Sequence, residues 1–255
     1  MIFYLYIHAN DDNISHFHFI FIKNKQTNTN FILYLFPIQS DVYVYMYTLN
    51  RNELFLRLFQ LLNATPKDIS DSFSFRRLAA VLVIIYYNND NNETNNIKIP
   101  RILLTKRSST ITAHANEVSF PGGSFDKASD ASLADTAIRE TKEEINLHFQ
   151  KSDLIGHLPI VTTLTSNFII YPFVTLQDRT LIPTILTDEV QDIIDAPLLE
   201  TLQTMDKDNN YYHYYHRHDS SLEDIYKFTY RSEVIWGATA RILKQLYDCL
   251  CIKHK

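Results

Sequence analysis

Glycine is scarce in this sequence: four residues, at 122, 123, 156 and 237, among 255. Average usage is about 7%, so each glycine that is kept marks a backbone position with few alternatives. Cysteine is scarcer. Cys249 and Cys251, one residue apart, exclude a disulfide framework and suit a reducing compartment. No charge of one sign dominates: 24 basic against 29 acidic residues, a net −5, leave no basic footprint for nucleic acid or an anionic membrane. No apolar run reaches the roughly 18–20 residues that span a bilayer. A secretory signal is not expected, because no basic stretch precedes an apolar one and Asp11 and Asp12 intervene early. Residues 1–45 contain no arginine, against a mitochondrial transit peptide, and His254-Lys255 is no SKL-type peroxisomal ending. The cytoplasm is the expected location, with mitochondrion and peroxisome as alternatives.

A hydrophobic fraction of 45% and a charged fraction of 21% are ordinary globular values, which excludes wholesale disorder. Residues 1–45 carry short apolar runs (FHFIFI, FILYLF, VYVYMY) broken by polar stretches. They are expected to be a poorly ordered or non-homologous extension, with Met46 as an alternative start. Residues 46–75 read as a helical lead-in, since 54, 55, 58, 59, 61 and 62 give an amphipathic period. Residues 76–250 read as one α/β or α+β domain. Ala79–Tyr87 is a buried strand, Ile99–Thr105 its hairpin partner, and the Asn-rich 88–96 between them an exposed insertion. Further strands are expected near 117–120, 154–164, 168–176, 211–217 and 225–230, and helices over 132–146, 197–204 and 232–250.

The helix at 132–146 carries the chemistry. Ser132 and Asp135 resemble a capping box, and Leu133, Ala134, Ala137, Ile138 and Ile145 form an apolar stripe. Glu140, Glu143 and Glu144 lie opposite, within about 60° of one another's central member at 100° per residue. They also stand near the negative end of the helix dipole. Each like-charged i,i+4 pair costs roughly 0.2–0.5 kcal/mol. A hard divalent cation relieves that conflict, because Mg²⁺ and Mn²⁺ favour carboxylate oxygens. For this helix alone, a solvated acidic face balanced by Arg139 and Lys142 is the simpler reading.

The flanking sequence changes the balance. From Gly123 onward the chain resembles the Nudix box, G-x5-E-x7-R-E-U-x-E-E-x-G-U with U aliphatic. Arg139–Leu147 (RETKEEINL) fits its second half, with Thr141 at an aliphatic position and Asn146 at the glycine. The first half is two residues longer than standard, and Ala131, with Asp130 beside it, stands where the box has Glu. Leu103–Gly123 resembles the LLTxRSxxxRxxxGxxxFPGG signature of the coenzyme A diphosphatase branch, with Thr112 at the arginine and Asn116 at a glycine. Thr187–Leu198 and Ile235–Leu243 resemble that branch's acidic-EV…PL and IWGxTxxI segments. Asparagine best tolerates the left-handed backbone that glycine otherwise supplies, so Asn116 and Asn146 can keep that geometry.

The resemblance implies a Nudix fold: an α/β/α sandwich with a mixed β-sheet and a loop–helix–loop catalytic motif. It implies a Mg²⁺- or Mn²⁺-dependent hydrolysis of coenzyme A or acyl-CoA to 3′,5′-ADP and 4′-phosphopantetheine or its acyl form. Glu140, Glu144 and the Gly123 carbonyl are the expected metal ligands, and Glu143 a further ligand or water-positioning base. Arg139 is expected to orient the glutamates. Glu189 is expected as base or third ligand, an exposed loop acid being the other reading. Arg107, Lys106 and His114 are the candidate substrate contacts, with a strand-edge surface charge as the other reading for Lys106 and a structurally hydrogen-bonded loop histidine for His114. Thr112 keeps open a pyrophosphatase for another nucleoside diphosphate derivative, such as a nucleotide sugar or dinucleotide; a non-catalytic binding module is a further alternative. His213, His216 and His218 read as hairpin residues, Trp236 as a core anchor, and Cys249 and Cys251 as a fraying tail. The partner is a small-molecule substrate, and the protein a monomer or homodimer.

Overall fold

A computed structural model describes residues 18–24, 29–35, 44–46, 50–62, 76–87, 99–110, 115–163, 166–207 and 226–251. The apolar runs near the start form strands β1 (His18–Asn24), β2 (Thr29–Leu35) and β3 (Val44–Met46), paired antiparallel in sequence order. Helix α1 (Arg51–Leu62) follows, begun by Asn50, whose side-chain oxygen accepts from the Glu53 N–H at 2.9 Å. The central strands are β4 (Arg77–Tyr87), β5 (Pro100–Arg107), β6 (Val118–Ser119) and β7 (Gly122–Ser124). Helix α2 (Leu133–Ile145) leads to a single 3₁₀ turn (Lys151–Asp153), then β8 (Leu154–His157), β9 (Val161–Thr162), β10 (Phe168–Gln177) and β11 (Val190–Pro197). Helix α3 (Leu198–Gln203), β12 (Asp206–Lys207), β13 (Tyr226–Tyr230), β14 (Glu233–Ile235) and α4 (Gly237–Leu250) complete the order.

The main sheet runs β11-β5-β4-β10-β8, with β6 on β5, β7 on β4 and β9 on β10. Strands β4 and β10 are parallel and the other pairs antiparallel, so the sheet is mixed. Strand β4 reads as a continuous apolar run because both its faces are covered. Val83, Ile85 and Tyr87 pack with Leu54 and Leu58 of α1, Leu198 and Leu202 of α3, and Leu243 and Leu246 of α4. Ala80, Leu82, Ile84 and Tyr86 pack with Ala137 and Ile145 of α2. This period-2 division gives the α/β/α sandwich.

The sheet splits where the site forms. Strand β4 pairs with β5 only over Ile84–Tyr87; nearer its start, Ala79–Val81 pair with β7, while Thr105 and Lys106 of β5 pair with β6. The segment 118–124 (VSFPGGS) threads the gap, and the Pro121 carbonyl accepts from the Leu82 N–H at 2.9 Å.

Several expectations are corrected. Residues 190–197 form a strand that the sequence pattern hides, because Asp192 and Asp195 break the apolar run. Helix α4 starts at Gly237, not 232: Arg231 adopts φ 54 and turns 233–235 back on β13 as a hairpin. Trp236 is 40% exposed at the start of α4 and is not a core anchor. Cys249 and Cys251 are half-buried against α1, with the Cys249 thiol donating to the Arg57 carbonyl, so this end of the helix is packed. The expected strand at 211–217, with its histidines, and the insertion at 88–96 lie outside the described residues. Among the described residues no helix is long and apolar enough to cross a membrane.

Candidate metal-binding and catalytic site

Two adjacent glycines set the floor of the site for different reasons. Gly122 has φ +153, and a Cβ there would lie 2.3 Å from the Ala80 carbonyl oxygen and 2.6 Å from Val81 Cα. Only glycine permits β7 to approach β4 so closely. At Gly123 the obstacle is functional: a Cβ would sit 2.5 Å from Cδ and Oε1 of Glu140. The Gly123 main chain therefore lies directly against the Glu140 carboxylate.

Helix α2 is begun by Ser132, whose hydroxyl oxygen accepts from the Asp135 N–H and donates to the Asp135 carboxylate. This is a serine cap without the reciprocal half of a capping box. The helix ends at Asn146, φ 58, whose N–H donates to the Lys142 carbonyl, so asparagine supplies the left-handed end expected of it. The loop before β11 covers the helix end further: Thr184 and Leu186 N–H groups donate to the carbonyls of Ile145 and Glu144.

Arg139 joins four carboxylate contacts. Its Nε and Nη2 donate to Asp130 at 2.8 and 3.0 Å, and Nη2 and Nη1 reach Glu140 and Glu143, each at 2.9 Å. Asp130 also accepts from the Thr136 hydroxyl and the Asp126 N–H. The Arg139 guanidinium, first among these partners, holds the Asp130 carboxyl down at about 2. Asp130 is the residue missing from the set predicted from sequence. Its signal was visible as an acid next to the displaced Glu position, but its contact with Arg139 was not.

The three glutamates do not share one solvated face. Glu143 is exposed and leans on Arg139; Glu140 is half-buried; Glu144 is buried. The 100° between consecutive residues puts 143 outside and 144 under β7. Among the described residues Glu144 accepts one long bond, 3.4 Å, from the Gly122 N–H. Burial, then the Glu140 charge, push its carboxyl up to about 8, while Arg107 pulls it down and Glu189 pushes it up. Burial also raises Glu140, against the pull of Arg139. Two desolvated, mutually repelling carboxylates beside a glycine main chain form a hard-oxygen donor set that suits Mg²⁺ or Mn²⁺. Among the described residues no three acidic, histidine or cysteine side chains already converge as a closed cage.

Glu189 stands at the start of β11, 61% exposed along its side chain, with its carboxylate 3.8 Å from Arg107 Nη2. Lys106 is engaged elsewhere: its Nζ bonds Glu233 of β14 at 2.8 Å, which ties the C-terminal hairpin to the sheet. His114 lies outside the described residues, as does Thr112. Glu140, Glu144, Gly123, Arg139, Glu143, Arg107 and Glu189 are thus linked by contact or electrostatic reach.

The NUDIX domain model matches residues 76–218. The uncharacterized Nudix hydrolase NudL of Photorhabdus laumondii subsp. laumondii is 34% identical over 194 residues, covering 75% of this chain and 94% of that protein. The NudL of Citrobacter koseri is 34% identical over 195 residues, covering 75% and 91%. Among solved structures, the NUDIX domain of Shewanella oneidensis NrtR complexed with ADP ribose is similar, with a TM-score of 0.41 and 20% identity, over 52% of this chain and 80% of that one.

Proposed function

The chain belongs to the Nudix family of hydrolases, and from that premise we propose that it cleaves the pyrophosphate bond of coenzyme A or acyl-CoA, releasing 3′,5′-ADP and 4′-phosphopantetheine or its acyl form. The observation that carries hydrolysis is the pairing of half-buried Glu140 with buried Glu144 against Gly123. The ordered resemblance of Leu103–Gly123, Thr187–Leu198 and Ile235–Leu243 to the coenzyme A diphosphatase branch supports the substrate.

Glu140, Glu144 and the Gly123 main chain would hold the cation. Bound Mg²⁺ or Mn²⁺ neutralises phosphate oxygens and lowers the pKa of water. Asp130 grips Arg139 through two bonds, and Arg139 in turn fixes the Glu140 carboxylate, so the acid that binds and the arginine that aims it form one unit. Glu143, exposed at the rim, and Glu189, in the turn before β11, are the two candidate carboxylates to take a proton from water. Arg107 offers a planar fork to phosphate oxygens. Lys106, held by Glu233, contributes through the shape of the site more than by direct contact.

Thr112 at the signature arginine favours a second reading, a Nudix pyrophosphatase for a nucleotide sugar or dinucleotide. Purified protein with Mn²⁺ is incubated with coenzyme A, ADP-ribose, NADH and a nucleotide sugar, and products are read by mass spectrometry, with Glu144→Gln as control. The expected result is 3′,5′-ADP and phosphopantetheine from coenzyme A, absent in the control. Turnover of another substrate alone establishes the second reading, and no turnover of any overturns both.

A further inference from the structure

Arg107 ends β5 where that strand meets both β6 and β11. Its N–H donates to the Glu117 carbonyl at 2.9 Å, and the Ser108 N–H donates to the Glu189 carbonyl at 2.8 Å. These two bonds fix the main chains of Arg107 and Glu189 side by side. Their side chains are far less constrained. Nη2 and Oε2 are 3.8 Å apart, beyond hydrogen-bond distance, and the Glu189 side chain is 61% exposed. Arg107 Nε is buried, with no hydrogen-bond partner among the described residues. A guanidinium carries five donors in a rigid plane. Here one arm meets a loose ion pair and the buried N–H meets nothing.

The loop that carries Glu189 is tied to the end of α2, where the Leu186 N–H donates to the Glu144 carbonyl at 3.1 Å, so the pair stands beside the carboxylate cradle. An exposed ion pair of this kind contributes little. A bidentate arginine–phosphate contact is shorter and roughly twice as strong as a neutral hydrogen bond. A diphosphate reaching the cradle therefore out-competes Glu189 for the guanidinium.

We propose that Arg107 exchanges partners on substrate entry: it holds Glu189 loosely in the free protein, then turns its fork to the diphosphate and frees the Glu189 carboxylate. Because the two main chains are already bonded, the exchange needs side-chain rotation and no loop movement. Glu189 is thereby more available as base or ligand once phosphate is bound. This deepens the functional reading above and rests on its placement of the site.

The test is a double-mutant cycle on binding of α,β-methylene-ADP, a nucleoside diphosphate with an uncleavable bridge, to the full chain with Mg²⁺ by calorimetry. The variants are Glu189→Gln, Arg107→Gln and the double. Removing the competing anion is expected to tighten the probe about two- to fivefold more when Arg107 is present than when it is absent, the range for an exposed pair. A Glu189→Gln effect that is equal in both backgrounds, or less favourable with Arg107 present, overturns the exchange. If Arg107→Gln does not fold, Arg107→Met replaces it under the same criterion, since methionine keeps much of the apolar stem and removes both charge and fork. A purely structural pair would shift the melting temperature and leave the coupling at one. The cycle involves no turnover, so its failure leaves the coenzyme A assay standing, and failure of that assay leaves the cycle standing.

Discussion

Replacing Asp130 by asparagine keeps the side chain's size, removes its charge and changes its hydrogen-bonding capacity. Four donors converge on the carboxylate: Arg139 Nε on Oδ1 at 2.8 Å, and Arg139 Nη2, Thr136 Oγ1 and the Asp126 N–H on Oδ2 at 3.0, 2.9 and 3.1 Å. An amide has one acceptor oxygen. With that oxygen in the Oδ2 place, three donors stay satisfied and the NH₂ group faces Arg139 Nε; the reverse orientation sets NH₂ against three donors. The better orientation still loses one charge-assisted bond and weakens another, each contributing about 1.5–3 kcal/mol. Glu140 and Glu143 retain the guanidinium and offset part of the loss. The expected destabilisation in urea unfolding at neutral pH is about 3 kcal/mol. Its pH dependence follows from the sign of the shift. The Asp130 carboxyl is held down at about 2, so its contribution is complete above the ordinary carboxylate value and is lost as pH falls through about 2. The gap between wild type and Asp130→Asn should therefore be constant above about pH 5 and close between about 4 and about 2. A difference below about 0.5 kcal/mol at neutral pH, within the ordinary range of surface substitutions, would refute the assignment of Asp130 as the anchor of Arg139. So would a gap that persists unchanged to the acid limit.

Glu144→Gln should abolish turnover and stabilise the metal-free protein. The wild-type carboxyl is pushed up to about 8, so its contribution is present below the ordinary value and lost as pH rises through about 8. Melting scans in EDTA should show the variant's advantage growing from about pH 5 to about pH 8.5; parallel curves would refute it. Added Mn²⁺ should raise the wild-type melting temperature and leave the variant's unchanged. The two glycines should separate stability from activity. Gly122→Ala meets backbone at 2.3 Å with φ +153 and should cost about 3–5 kcal/mol. Gly123→Ala meets first the Glu140 carboxylate, the far end of a flexible side chain, so it should leave the urea midpoint near wild type and lower kcat/KM about a hundredfold; equal losses of stability in the two variants would count against the assignment.

Much of this architecture was legible because it rests on local chemistry. The left-handed backbone of the turn residue Asn116 and of the helix end Asn146 followed from glycine positions occupied by the residue that best tolerates it. Strand β4 was legible from a β-branched run, and α2 from its period. The rest depends on partners distant in sequence. The helical wheel grouped Glu140, Glu143 and Glu144, but it could not show that β7 crosses above 144 and leaves 143 in solvent; that follows from Pro121, Gly122 and Gly123 threading the split between β4 and β5. Lys106 looked like a phosphate contact because it and Arg107 precede the signature loop, yet Glu233, 127 residues away, takes its charge. Neighbours in a strand point to opposite faces, so Lys106 and Arg107 meet different surroundings: one the C-terminal hairpin, the other Glu189. Asp130 shows the same limit from the other side. Its acidity and its place beside a displaced box position were plain, but its importance comes from four donors gathered by a loop two residues longer than standard, and loop length alone says nothing of what the loop encloses. Arg139 is where the local and distant signals meet. The box spacing names it, the helix aims it, and a buried acid from the preceding loop decides which carboxylates it can reach.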